Sequence, residues 1–361
     1  MDLTAGTPFY LFGAGSRSKY IYREGKLIKW PEQRLVFRGN VLDERIYPAE
    51  HRVQLVCEDD TTALIEESER GLFLKTDGPA HLLATDSVKM PDFSEHRFRD
   101  QLRILHFEIL WNIKDGRPLA NLLAYTKPSY REAASIAMVL KLTGNLPLIA
   151  DWIESITEPF DLNNGTAEAD NLGQVLFLNS LLDERNDDLV DKALDQMGTY
   201  VKDGIVRGRT DSRERPVYQS LWLKYGLQCL GLKEEEEKVQ PPVAEEDYRH
   251  LFWWDLRDVP DPAADRTFFN GETNNPYRAW AEANYLNTEP PRELAGRNFP
   301  LSYEASARQA DVNAMRAISE DLADSRIVTP HSRHAAEMFL YYWHRDSGKG
   351  RKNAVARSRY P

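Results

Sequence analysis

Helix starts in the last two-thirds of this chain share one composition: a Pro or Asp, followed at once by polar and aromatic residues. They read Lys127-Pro128-Ser129-Tyr130-Arg131-Glu132, Asp170-Asn171, Arg215-Pro216-Val217-Tyr218, Asn275-Pro276-Tyr277 and Thr329-Pro330-His331. Pro suits a first helical position because its missing N–H would be unpaired there anyway. The large polar groups behind it need a second reason. If the helices stand side by side in a ring, their N-termini gather at one end and line one cleft. The expected fold is therefore mainly α, an α/α toroid of about five to six helical hairpins preceded by a small N-terminal antiparallel β-domain.

Strand patterning comes first along the chain. Lys19–Arg23, His51–Cys57 and Gly71–Lys75 alternate polar with apolar, separated by turn residues such as Asp77-Gly78-Pro79. After Pro91 the period becomes helical. Helices are expected at about 98–116, 130–143, 146–157, 170–184, 188–203, 216–230, 245–254, 276–286, 302–310, 311–323 and 330–344, with no strand signal between them. These give a β-rich domain over 1–90, a toroidal domain over 91–344 and a basic tail over 345–361, expected to be disordered. No repeat of fixed period is visible, which counts against a superhelix of paired helices.

Composition excludes some functions. A net charge of −11 argues against a general nucleic-acid binder. No run of about 18 apolar residues exists to cross a membrane, and no secretory signal opens the chain, so a cytoplasmic location is expected. Cys57 and Cys229, the only two cysteines, fit buried free thiols in a reducing compartment. The 8 Trp and 16 Tyr suit sugar stacking as well as core packing. No cofactor is implied, and oligomeric state is open.

Tyr130-Arg131-Glu132-Ala133-Ala134 is the most specific local signal. Ala133 and Ala134 allow close packing, while Arg131 and Glu132 at the N-terminal rim offer donors and acceptors to vicinal hydroxyls. Simple capping with an internal ion pair would also explain them. The phrase resembles one in the glucoamylase-like, six-hairpin glycosidases, where an aromatic-Arg-Asp-Ala-Ala run grips the terminal sugar. Here Glu132 replaces the Asp. The resemblance implies a toroidal glycosidase with Tyr130, Arg131 and Glu132 in the substrate site.

Glycoside cleavage needs two carboxyls on opposite sides of the bond. Asp170 is one candidate, although an N-cap would explain it equally. Asn171 and Gln174 share a helix face near it, and Gly173 permits close approach of a ligand or a helix. Glu304 is the second candidate, read at the second position of a helix capped by Ser302. Trp254, Tyr277 and Trp280 are candidate stacking surfaces or core aromatics. Glu108, inside an apolar helix, must be paired or have a raised pKa if buried. His331 is read as binding substrate hydroxyls and His334 as structural. A metal on this pair is not expected, because only Glu337 offers a third ligand. Gly13-Ala14-Gly15-Ser16 lacks the helix of a phosphate loop and reads as a turn.

The expected function is hydrolysis of an oligo- or polysaccharide by Asp170 and Glu304. The alternatives are a uronate lyase or sugar epimerase using His331, His334 and Tyr130, and a non-catalytic helical scaffold.

Overall fold

The computed structural model describes residues 8–58, 61–211, 214–242, 299–304, 307 and 309–346. Trp254, Tyr277 and Trp280, the helices expected at 245–254 and 276–286, and residues 347–361 of the basic tail lie outside the described residues.

Two antiparallel meanders open the chain. The first contains β1 (Phe9–Phe12), β2 (Lys19–Arg23), β3 (Lys26–Trp30) and β4 (Arg34–Arg38) in that order. The second contains β5 (Val41–Tyr47), β6 (Arg52–Cys57), β7 (Thr62–Ser68), β8 (Gly71–Lys75) and β9 (His81–Ala84). In β6 and β7 the period of two is plain: Val53, Leu55, Ala63 and Ile65 are buried, while Gln54 faces solvent. Buried Glu67 on β7 ties the sheets together. Its carboxylate accepts from the amides of Gly13 at 2.7 Å and Ala14 at 2.8 Å, and from Arg17 Nη1 at 3.0 Å. The glycine-containing turn thus serves an internal carboxylate.

The helical part follows: α1 (Arg99–Trp111), α2 (Tyr130–Leu142), α3 (Ala150–Glu154), α4 (Asn171–Asn179), α5 (Asp187–Tyr200), α6 (Pro216–Cys229), α7 (Lys233–Glu236), α8 (Glu320–Asp324) and α9 (Ser332–Asp346). Two short hairpins interrupt it, β10 (Ile113–Lys114) with β11 (Arg117–Pro118), and β12 (Val201–Lys202) with β13 (Ile205–Val206). The packing order differs from the chain order. The last described helix, α9, lies between α1 and α2; α2 then packs on α4, and α4 on α6. Both sheets and these helices contribute to one continuous apolar core.

This architecture corrects the expected fold class. The protein is mixed rather than mainly α, at 37% helix and 22% strand of the described residues, with nine strands between residues 9 and 84 in two sheets. It is not plainly an all-helical toroid. The short hairpins also interrupt a region expected to be wholly helical. The helix expected at 302–310 is absent over its described part. Ser302 to Glu304 is extended, and Glu304 forms an isolated antiparallel bridge with Val328. Cys57 is buried and Cys229 exposed, both as free thiols. Among the described residues, no helix is long and apolar enough to cross a membrane.

Candidate functional site

Helix first turns meet at one end of the α2–α4–α6–α9 group. On α2, the N-cap Ser129 accepts from the Glu132 amide, which frees the side chains of Tyr130, Arg131 and Glu132 for other partners. Arg131 reaches across to α4. Its Nε donates to Asp170 Oδ2 at 2.8 Å, its Nη2 to Glu168 Oε2 at 2.8 Å, and its Nη1 to Asp211 Oδ1 at 2.8 Å. One guanidinium therefore holds three carboxylates from two loops, using the fixed fork that lysine lacks.

Asp170 occupies the N-cap position of α4 but its side chain caps nothing. It is fully buried, and its oxygens are taken up by Arg131, by Thr210 Oγ1 at 2.7 Å and by Gln174 Nε2 at 2.8 Å. Burial pushes this carboxyl up, but the Arg131 charge and these hydrogen bonds outweigh it, and its pKa ends below the ordinary value. Asn171 and Gln174 are also buried and bond to each other at 3.1 Å. Asn171 Oδ1 accepts from the Asp161 amide at 3.3 Å, and Gln174 reaches the Tyr218 hydroxyl on the first turn of α6 at 3.5 Å.

A second group stands beside this one. Glu304 accepts a short hydrogen bond from the Tyr125 hydroxyl, and His331 Nε2 comes within 3.6 Å of it. Burial and Asp211 raise the Glu304 pKa, while Tyr125 and Arg333 oppose the rise. Burial, aided by His334 and Arg333, holds His331 well below the ordinary imidazole value, so the ring is neutral. The Glu304 contact is therefore not a full ion pair at neutral pH. Burial pushes the Glu132 carboxyl up to about 7, against Arg131 and Arg333 and with help from Asp161. Glu132 and Glu304 both act on the Tyr125 hydroxyl and both face the charge of Arg333. Arg333 itself pairs with Glu337 at 3.1 Å. The His331 and His334 rings lie tilted to each other with centroids 4.2 Å apart, and among the described residues no His, Cys, Asp and Glu group is arranged to hold a metal.

Glu108 resolves the question posed by its place in an apolar helix. It is fully buried, and it accepts from the amides of Leu301 and Ser302 and from the Ser302 hydroxyl. The same hydroxyl accepts from the His331 amide at 3.0 Å. Glu108 thus positions both the extended segment that carries Glu304 and the entry to α9. Burial outweighs these hydrogen bonds and raises its pKa to about 7.

The site's pH response has a definite sign. Glu132 binds its proton more tightly in the folded protein than its ordinary pKa of 4.5 allows. Its stabilising contribution is full below that value and is lost as pH rises through about 7. Relative to wild type, Glu132→Gln should gain about 1–2 kcal/mol on moving from pH 5 to pH 8. Paired denaturant titrations at the two pH values would check this.

Tyr130, Arg131, Glu132, Asp170, Asn171, Gln174, Glu304 and His331 thus belong to one neighbourhood. Tyr125, Asp161, Asp211, Tyr218 and Arg333 join them without having been singled out. For Tyr218 and Arg333 the available signal was the one that exposed the others, a polar group just inside a helix start. Tyr125, Asp161 and Asp211 sit in loops and carried no such signal.

No family model, curated protein or solved structure matches this chain. With two substantial sheets in the fold, the short likeness at Tyr130–Ala134 does not extend to membership of the glucoamylase-like, six-hairpin glycosidases.

Proposed function

We propose that the protein is a glycoside hydrolase acting on an oligo- or polysaccharide, with Glu132 as general acid and Glu304 as base or nucleophile. The observation that carries this reading is the pair itself. Glu304 accepts from the Tyr125 hydroxyl, and Glu132 lies near enough to bear on the same hydroxyl by its charge, where helix starts meet. Burial raises both carboxyls, Glu132 to about 7, while the Tyr125 hydrogen bond and the Arg333 charge oppose the rise at Glu304. Glu132, with its pKa near 7, keeps a proton to give to a leaving oxygen at neutral pH. Glu304 receives a hydrogen bond from Tyr125, which favours its ionised form. Asp170 has no oxygen left for a substrate and is read as the positioning partner of Arg131. Asp211, whose side chain is 46% exposed, supplies an acceptor at the rim for sugar hydroxyls.

Screening α- and β-aryl glycosides, together with neutral oligosaccharides, tests the proposal directly. Turnover is expected on at least one, with a bell-shaped pH profile whose alkaline limb falls near pH 7. Glu304→Gln should lower kcat about a hundredfold on every substrate. Glu132→Gln should spare substrates whose leaving phenol is already acidic, because they need no proton. An unsaturated product absorbing in the ultraviolet would transfer the site to lyase chemistry. Absence of turnover and of any thermal shift across the panel would remove the hydrolase reading.

A further inference from the structure

A separate cleft of about 690 Å³ lies where the end of α2, the β10–β11 turn, α3 and the loop after β9 come together. Its size falls within the range of about 300–1,000 Å³ usual for ligand pockets. The chemistry-bearing side chains around it are Asp86, Lys89, Asp115, Arg117, Asp151 and Trp152. Part of this frame is rigid. The Lys89 amide donates to Asn145 Oδ1 at 2.9 Å, and Asn145 Nδ2 returns a bond to the Lys89 carbonyl at 2.9 Å. The Lys89 side chain then lies over Gly144, where a Cβ would come within 3.0 Å of Nζ. Asp86 is fixed by the amides of Ser16 at 3.1 Å and Ser87 at 2.7 Å.

We infer that this cleft is an accessory binding site for a neutral glycan chain. No described carboxylate lies within ion-pairing distance of Lys89 or Arg117, so both cations keep their donors for a ligand. The carboxylates beside them offset those cations, which disfavours a phosphate or a polyanion. A sugar hydroxyl can donate to Asp and accept from Lys or Arg at once, and its ring offers an apolar face to an indole. Trp152 supplies that indole. It also meets Tyr130 edge-on at 6.5 Å, which connects the cleft to the first residue of α2. The inference rests on the glycosidase reading for its biological sense but not for its test.

Affinity electrophoresis of the full chain separates the two. Native gels would contain amylopectin, laminarin, galactomannan or xylan, with dextran sulfate as a charge control. Retardation in at least one neutral gel is expected. Trp152→Ala and the wholly surface change Arg117→Ala should each weaken it about tenfold. Glu132→Gln and Glu304→Gln should leave retardation in place. Retardation without turnover of any aryl glycoside supports the cleft while removing the hydrolase. The cleft proposal is overturned if no neutral polysaccharide retards the chain, if dextran sulfate alone does, or if both cleft variants migrate like wild type.

Discussion

Replacing Asp170 with Ala is expected to cost about 3–5 kcal/mol of folding stability, because it strands a buried guanidinium. The Arg131 side chain is 8% exposed and cannot release its proton at any accessible pH. Glu168 and Asp211 would remain, but Nε, the Thr210 hydroxyl and Gln174 Nε2 would each lose the acceptor that Asp170 supplies. Arg131→Lys should not be conservative, since one ammonium cannot span Asp170, Glu168 and Asp211 in the same plane. The pH dependence follows from the depressed pKa of Asp170. Its contribution is full above the ordinary value of 3.8 and fades as pH falls through the lower folded value. Urea titration of wild type and Asp170→Ala at pH 7 measures the effect. A loss below about 1 kcal/mol would mean that water reaches Arg131, contrary to its burial here.

Gly173→Ala is the second large effect, with an expected loss above about 3 kcal/mol. A Cβ on Gly173 would fall 2.1 Å from the carbonyl carbon of Trp222 and 2.3 Å from the amide of Leu223. One on Gly226 would meet the Gly173 carbonyl oxygen at 2.4 Å. Here α4 and α6 touch backbone to backbone, so no rotamer change can relieve the clash. Helix propensity alone predicts the opposite sign, since Ala favours a helix over Gly by about 1 kcal/mol. Gly198 on α5 provides the contrast, because a Cβ there would meet nothing within 4 Å. Gly198→Ala should therefore stabilise by about 0.5–1 kcal/mol. Thermal melts of the two variants give opposite shifts if the helix contact is as close as described. Equal shifts of the same sign would refute it.

What the sequence made legible was local. Helices at 130–142, 187–200 and 216–229 fall close to their expected places because the apolar period is joined by a cap at Ser129 and Asn186 in the first two and by Pro216 at the first turn of the third. The strands at 19–23, 52–57 and 71–75 were visible through their alternation. Strands β4, β5 and β9 were not, because Leu35, Leu42 and Leu82 point outward and blur the period of two. The β-rich stretch over 1–90 was expected, but not that it would divide into two sheets of nine strands, and the fold was therefore classed as mainly α. The misread helix at 302–310 has a similar origin. Ser302 looked like a cap, but its hydroxyl bonds to Glu108, 194 positions earlier in the chain. Asp170 likewise resembled a local cap while its partners lie at Arg131 and Thr210. Pairings across such distances leave no periodic trace, although the residue types that make them are conspicuous.

The position of α9 bears on how the protein is made. The last described helix fits between α1 and α2, burying Ala335, Met338, Phe339 and Tyr342 against elements synthesised some two hundred residues sooner. During translation, α1 and α2 leave the ribosome with their facing apolar surfaces uncovered, and those surfaces stay exposed until the carboxy-terminal part follows. At a synthesis rate of about 5–20 residues per second, that interval lasts roughly ten seconds or more. A chain released early, or clipped ahead of Ser332, would retain this open seam and become a natural client for holding chaperones and a target for degradation.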